Sequence, residues 1–132
     1  MAHQRLNPPR IFNAADYGFS QLVIGNGGRT VHCSGQTAWD RDANIVGDDL
    51  ETQIRQAFVN VGHALAAAGA GPADVVRQTI YVVDHQPENL AIIGPAMVAF
   101  YGPGNLPAAT LIGVAALAVP DFLVEIEVTA EL

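Results

Sequence analysis

The chain is poor in positive charge, in cysteine and in long apolar runs, and each shortage closes a class of function. Lys and Arg together number six among 132 residues against thirteen Asp and Glu, for a net charge of −7. That balance offers no basic stripe to track a phosphate backbone, so nucleic acid is not an expected partner, and anionic membrane surfaces are disfavoured for the same reason. The single cysteine, Cys33, cannot close an internal disulfide, and no basic start followed by an apolar run of secretory length opens the chain. A cytoplasmic protein is the expectation. The longer apolar stretches, such as residues 64–68 and 114–119, are too short to span a bilayer. No repeat, low-complexity tract or linker is visible. His32, His63 and His85 lack metal-ligand spacing, so neither a metal nor another cofactor is expected.

What is abundant is apolar side chain, 50% of the residues. That suffices for one domain over residues 1–132 with one core and no staple. Residues 1–12, with Pro8 and Pro9, form a partly irregular N-terminal segment leading toward an edge strand. Short apolar runs at 21–24 and 30–35 flank Gly25-Asn26-Gly27-Gly28 and read as a hairpin. This glycine segment has no following helix and no Gly-Lys-Ser/Thr ending, so it is turn chemistry and not a phosphate loop. Asp48 and Asp49 supply an N-cap. Leu50, Ile54, Phe58, Val61 and Leu65 then recur along one helical stripe that stops at Gly69, with Glu51, Arg55 and His63 on the solvated side. Residues 74–83 contain a β-branched run that fits a central strand. A second helix is predicted over 87–101, with Pro87 in its first turn, Pro95 kinking or resetting it, and Gly102 and Pro103 ending it.

The last third, residues 106–132, reads as two strands joined by a short connection around Pro120 and Asp121. In the second, Phe122, Val124, Ile126 and Val128 alternate with Leu123, Glu125, Glu127 and Thr129, the period of a strand with one buried face. The polar face either meets solvent or lines a cleft or subunit interface where one Glu does chemistry. The predicted class is α+β, with two helices on one face of a largely antiparallel sheet. The uncovered apolar face predicts self-association. Cys33 is not a promising nucleophile, because its neighbour His32 points to the opposite face of the same strand.

Several segments resemble the RidA family, also called YjgF or L-PSP endoribonuclease-like. They are Tyr17-Gly18-Phe19-Ser20-Gln21, Val31-His32-Cys33-Ser34-Gly35-Gln36-Thr37, the helix from Glu51-Thr52-Gln53 to Ala66-Ala67-Ala68-Gly69, Asp74-Val75-Val76, Ile80-Tyr81-Val82, Leu106-Pro107-Ala108 and Val124-Glu125-Ile126-Glu127. The resemblance covers about residues 15–130. It implies a chorismate-mutase-like sheet, a homotrimer with a central barrel, and three small-molecule clefts between subunits. Characterised family members hydrolyse reactive imines and enamines, using an Arg to clamp the substrate carboxylate, a Glu to position water and an aromatic to shape the cleft. By resemblance, Glu125 is the catalytic carboxylate, and Phe19, Ser34, Gly35, Ala109, Thr110 and Leu111 are substrate-binding positions.

The pattern departs in the cleft. Ala109 stands where the family has Arg, Phe19 where Tyr is usual, Gly94 where Asn is expected and Leu111 where Cys is common. Losing a desolvated bidentate Arg costs about a hundredfold or more in affinity, so 2-imino acids are poor expected substrates. Three functions follow from the sequence: a hydrolase or deaminase of a non-carboxylate imine, enamine or related molecule; a small-molecule-binding trimer without chemistry; and, weakest given the acidity, a ribonuclease or translation inhibitor.

Overall fold

Helix α1, Leu50–Ala67, forms where the apolar stripe predicts it. The Asp49 carboxylate caps it by accepting the Thr52 amide at 3.0 Å, and those bonds hold the carboxyl below its ordinary range. Past its C-terminal end Gly69 takes a positive φ of 73°, a conformation costly for a residue with a Cβ. Ile54, Phe58, Val61 and Leu65 are buried, while Glu51 and Arg55 pair across one exposed turn at 3.4 Å. Helix α2, Leu90–Tyr101, runs through Pro95. Pro87 opens a separate 3-10 turn, Pro87–Asn89, so the helix starts later than predicted and Pro95 does not reset it.

In this computed structural model, residues 3–10, 14–20 and 22–132 are described; Gln21 of the expected first hairpin and parts of the N-terminal segment lie outside them. The strands are β1 Gln4–Leu6, β2 Leu22–Ile24, β3 Thr30–Gln36, β4 Val75–Val83, β5 Ala108–Val114 and β6 Val124–Glu131. Both predicted hairpins are replaced by other pairings. β2 pairs with β1, and the glycine segment instead brackets the chain end, where Arg29 and Leu132 exchange backbone hydrogen bonds of 3.0 and 2.8 Å. The four-stranded sheet has the order β3-β6-β4-β5. β4 therefore separates the two strands expected to form the C-terminal hairpin, and β5 runs parallel to β4 because the connection between them passes through α2, a crossover that a tight turn cannot make.

Both helices cover one face of the mixed sheet, giving the α+β fold. Along β6, Val124, Ile126, Val128 and Ala130 are buried against α1 and α2, together with Ile80 and Val82 of β4. Two side chains of α1 fix the loops around this core. Buried Gln53 donates to the carbonyls of Gly47 and Asp121 at 3.1 and 2.9 Å and accepts the Leu123 amide at 2.9 Å. Asn60 donates to the carbonyls of Thr37 and Trp39 at 2.8 and 2.6 Å. A buried amide satisfied as fully as that of Gln53 specifies one loop path into β6.

Candidate functional site

The residues singled out from the sequence gather into two groups on opposite faces of the sheet, with Thr110 between them, its hydroxyl turned to the uncovered face. The first is polar. β3 and β6 pair antiparallel with Cys33 opposite Val128 and Gln36 opposite Ile126, so the span 33–36 holds one residue more than its partner span. The extra residue makes a β-bulge at Ser34 and Gly35, a device that re-aims a strand locally. The carbonyl of Ser34 accepts from Gln36 Nε2 at 3.1 Å. Glu125 lies on the face of β6 turned away from the helices, opposite Tyr81 of β4. Its carboxylate rests over Gly35, where a Cβ would collide with it. Glycine here leaves room for the Glu125 side chain in this position and is not called for by backbone conformation. Two residues on, Glu127 is exposed and accepts the Tyr81 hydroxyl at 2.6 Å, a bond that raises the Tyr81 pKa. Glu125 and Glu127 are thereby separated: Glu127 is engaged within the sheet, while Glu125 borders the Ser34–Gly35 bulge.

The second group is concave and apolar. A cavity of about 670 Å³ opens between the β5 edge and α2, and Phe19, Ala109, Thr110 and Leu111 all line it. Ala109 lies opposite Gln78 and Leu111 opposite Ile80, which sets both on the helix side of the sheet. Phe19 is held there by its neighbour: Ser20 Oγ donates to the Leu106 carbonyl at 2.5 Å and the Ser20 amide to that of Pro107 at 2.8 Å. Gly18, with φ +88°, lets this segment approach α2 so closely that a Cβ would stand 3.0 Å from the Gly94 carbonyl. Below the cavity Gln78 is fully buried. Its carbonyl accepts the Tyr101 hydroxyl and its amide donates to Met97 Sδ at 3.0 Å. Burial drives the Tyr101 pKa well above the ordinary phenol value.

Sequence reasoning missed Asp16, Gln78 and the α2 residues Leu90, Ile93, Pro95, Met97 and Val98 in this lining. Gln78 carried a signal, since the alternation that points Ile80 and Val82 inward also points residue 78 inward. Asp16, exposed in the short turn Ala14–Tyr17, carried none. Arg77 of β4 reaches this region: its Nη2 donates to Thr110 Oγ1 at 2.5 Å, from the uncovered face of the sheet. Cys33 packs against the core, where burial raises its pKa, while His32 is exposed; this thiol is not activated.

A family model described as Endoribonuclease L-PSP matches residues 11–132. The chain belongs to this family, the Rid group of proteins. It is 33% identical over 105 residues to a 2-iminobutanoate/2-iminopropanoate deaminase of Salmonella typhimurium, covering 78% of this chain and 80% of the relative. Among solved structures, a Rid-family protein of unknown function, YyfB from Yersinia pestis, matches with 44% identity, complete coverage of both chains and a TM-score of 0.97. RidA from an Antarctic Psychrobacter species matches at 29% identity over 86% of this chain and 88% of that one, with a TM-score of 0.71. The α+β class with two helices on one face of the sheet, and the family, are therefore as the sequence leads one to expect. Among the described residues, no helix is long and apolar enough to cross a membrane.

Proposed function

We propose that this Rid protein is a cytoplasmic homotrimer that hydrolyses a small imine or enamine in clefts between subunits, each cleft joining the cavity of one subunit to Glu125, Ser34 and Gly35 of the next. One observation carries the reading. Within a single chain the cavity lies on the helix side of the sheet at the β5 edge, while Glu125 lies on the opposite face over β3, so a second copy is needed to bring carboxylate and cavity together. The uncovered face favours such packing: Ile112 on it is 41% exposed, beside half-buried Tyr81 and Val83. The imine chemistry is supported by the deaminase named among the relatives.

In the reaction, Glu125 accepts a proton from water as the oxygen attacks the C=N carbon and returns it to the nitrogen, giving a neutral carbinolamine. Glu125 then takes the hydroxyl proton and passes it to the amine nitrogen as the C–N bond breaks, giving a carbonyl compound and ammonia, with one water consumed per imine. Phe19 packs the body of the substrate, and the bulge at Ser34 supplies polar contacts. With Ala109 on β5, 2-imino acids have no clamp in the cavity, so the substrate lacks a carboxylate. A second reading, a binding trimer without chemistry, draws on the engagement of Gln78 and Thr110 with Tyr101 and Arg77, which leaves few polar groups for catalysis inside the cavity. Ribonuclease activity is disfavoured by the net charge of −7.

Subunit mixing tests the cleft. Glu125→Gln removes the base, and Ala109→Trp fills the cavity; each alone should fail to release ammonia from an N–H ketimine without a carboxylate, such as benzophenone imine. Co-refolded one to one, they should recover roughly one quarter of wild-type turnover, because a cleft needs one intact half from each of two subunits. Sedimentation should show about three times the 13.9 kDa chain mass. A monomer, or turnover undiminished in Glu125→Gln, refutes the reading.

A further inference from the structure

We infer that the cavity selects a small organic amine or imine with an apolar body and no carboxylate, its nitrogen turned toward Asp16. The inference rests on the reading of this cavity as the ligand half of the cleft, but on no reaction there. Its volume, about 670 Å³, falls within the range of small-molecule sites. The wall is built from Ile80, Ile93, Met97, Val98 and Leu111, so an apolar body gains by leaving water. Leu90, 52% exposed, stands on the same lining as an apolar lip.

Charge decides the rest. Among the described lining residues Asp16 is the one ionisable side chain, and it is exposed. A carboxylate entering here would surrender its hydration, meet no cation and face a like charge. A protonated amine or iminium has the reverse balance. The deep polar group, Gln78, gives no anion site, since its carbonyl is held by Tyr101 and its amide turns to Met97. Arg77, which bonds to Thr110, lies on the other face of the sheet.

Titration calorimetry with benzylamine, benzyl alcohol and benzoate, which share one ring and differ in the polar head, tests this on the intact protein. Benzylamine should bind most tightly and benzoate at least about tenfold more weakly than the alcohol, the loss expected when a charge is desolvated without a partner. Asp16→Asn should lower amine affinity to that of the alcohol, a change of about two- to fivefold as befits an exposed pair. Ala109→Arg should raise benzoate affinity about tenfold or more by restoring a charge partner. Benzoate binding the wild type as tightly as benzyl alcohol, or no binding of any of the three at millimolar concentration, overturns the inference. Because binding is read without turnover, the two proposals fail separately: the expected affinity order in a wild-type protein that shows no hydrolysis counts against the reaction alone.

Discussion

The cavity half of the proposed cleft is concave, apolar and walled by α2, whereas the Glu125 half is a polar patch on a strand bulge, on the sheet face turned away from the helices. The first shares its residues with the hydrophobic core, for Ile80, Ile93 and Met97 belong to both. The second uses side chains from the sheet face that the helices leave uncovered. This difference implies a division of labour. Substitutions around the cavity should reach stability as well as binding, while substitutions around Glu125 should reach chemistry and assembly and leave the subunit's own core intact.

The sharpest break of this comparison is expected at Tyr101. Tyr101→Phe strips the fully buried Gln78 carbonyl of its donor, a loss of about 1–3 kcal/mol readable as a lower urea midpoint. The same hydroxyl should set an alkaline limit. Its folded pKa is raised by burial, so its contribution is complete below the ordinary tyrosine value near 10 and is lost as pH climbs from there toward the folded value, because the unfolded chain releases that proton first. Wild-type stability should then fall by about 1.4 kcal/mol per pH unit from this group, and Tyr101→Phe should lack that slope. Gly18→Ala comes next. It forces a Cβ onto a residue at φ +88°, 3.0 Å from the Gly94 carbonyl, at a cost of about 1–2 kcal/mol. Thermal unfolding should register that cost, with weakened benzylamine binding alongside it. A variant as stable as wild type would show that the Gly18 segment yields freely, and that this half of the site is not built into the fold.

Residue periodicity is legible in the sequence, whereas strand pairing is not, even across the local glycine turn at 25–28. Helix α1 was legible because its apolar stripe, its Asp49 cap and its Gly69 stop all lie within twenty-odd consecutive positions. The inward and outward faces of β6 were legible from period-two alternation. Strand pairing was not, because nothing local to residues 106–132 says that β4 inserts between β5 and β6. The same limit applied to the site. The sequence named Glu125, Gly35, Phe19 and Ala109, yet only the topology separates them into two groups on opposite faces. Asp16 has no pattern to mark it, being one exposed acid in an acidic chain, and the contact of Arg77 with Thr110 joins residues 33 positions apart in sequence, which no local signal shows.

The smallest effect on stability, and the one that most directly sharpens the comparison, is expected from Gly35→Ala. The added methyl meets the Glu125 carboxylate and Cγ, so the side chain has to swing to another rotamer, as a half-exposed glutamate can with the backbone in place. Folding stability should stay within about 0.5 kcal/mol of wild type, as for other changes away from the core. Catalysis should not be spared, because a carboxylate displaced by about 1 Å from a bound water can lose on the order of a hundredfold in rate. Measuring ammonia release beside the urea midpoint separates the two quantities. Turnover equal to wild type in a variant whose stability is also unchanged would mean that the carboxylate works from a position other than the one over Gly35. A large drop in stability would instead mean that the Glu125 half is as deeply tied to the fold as the cavity half, and the division between them would fail.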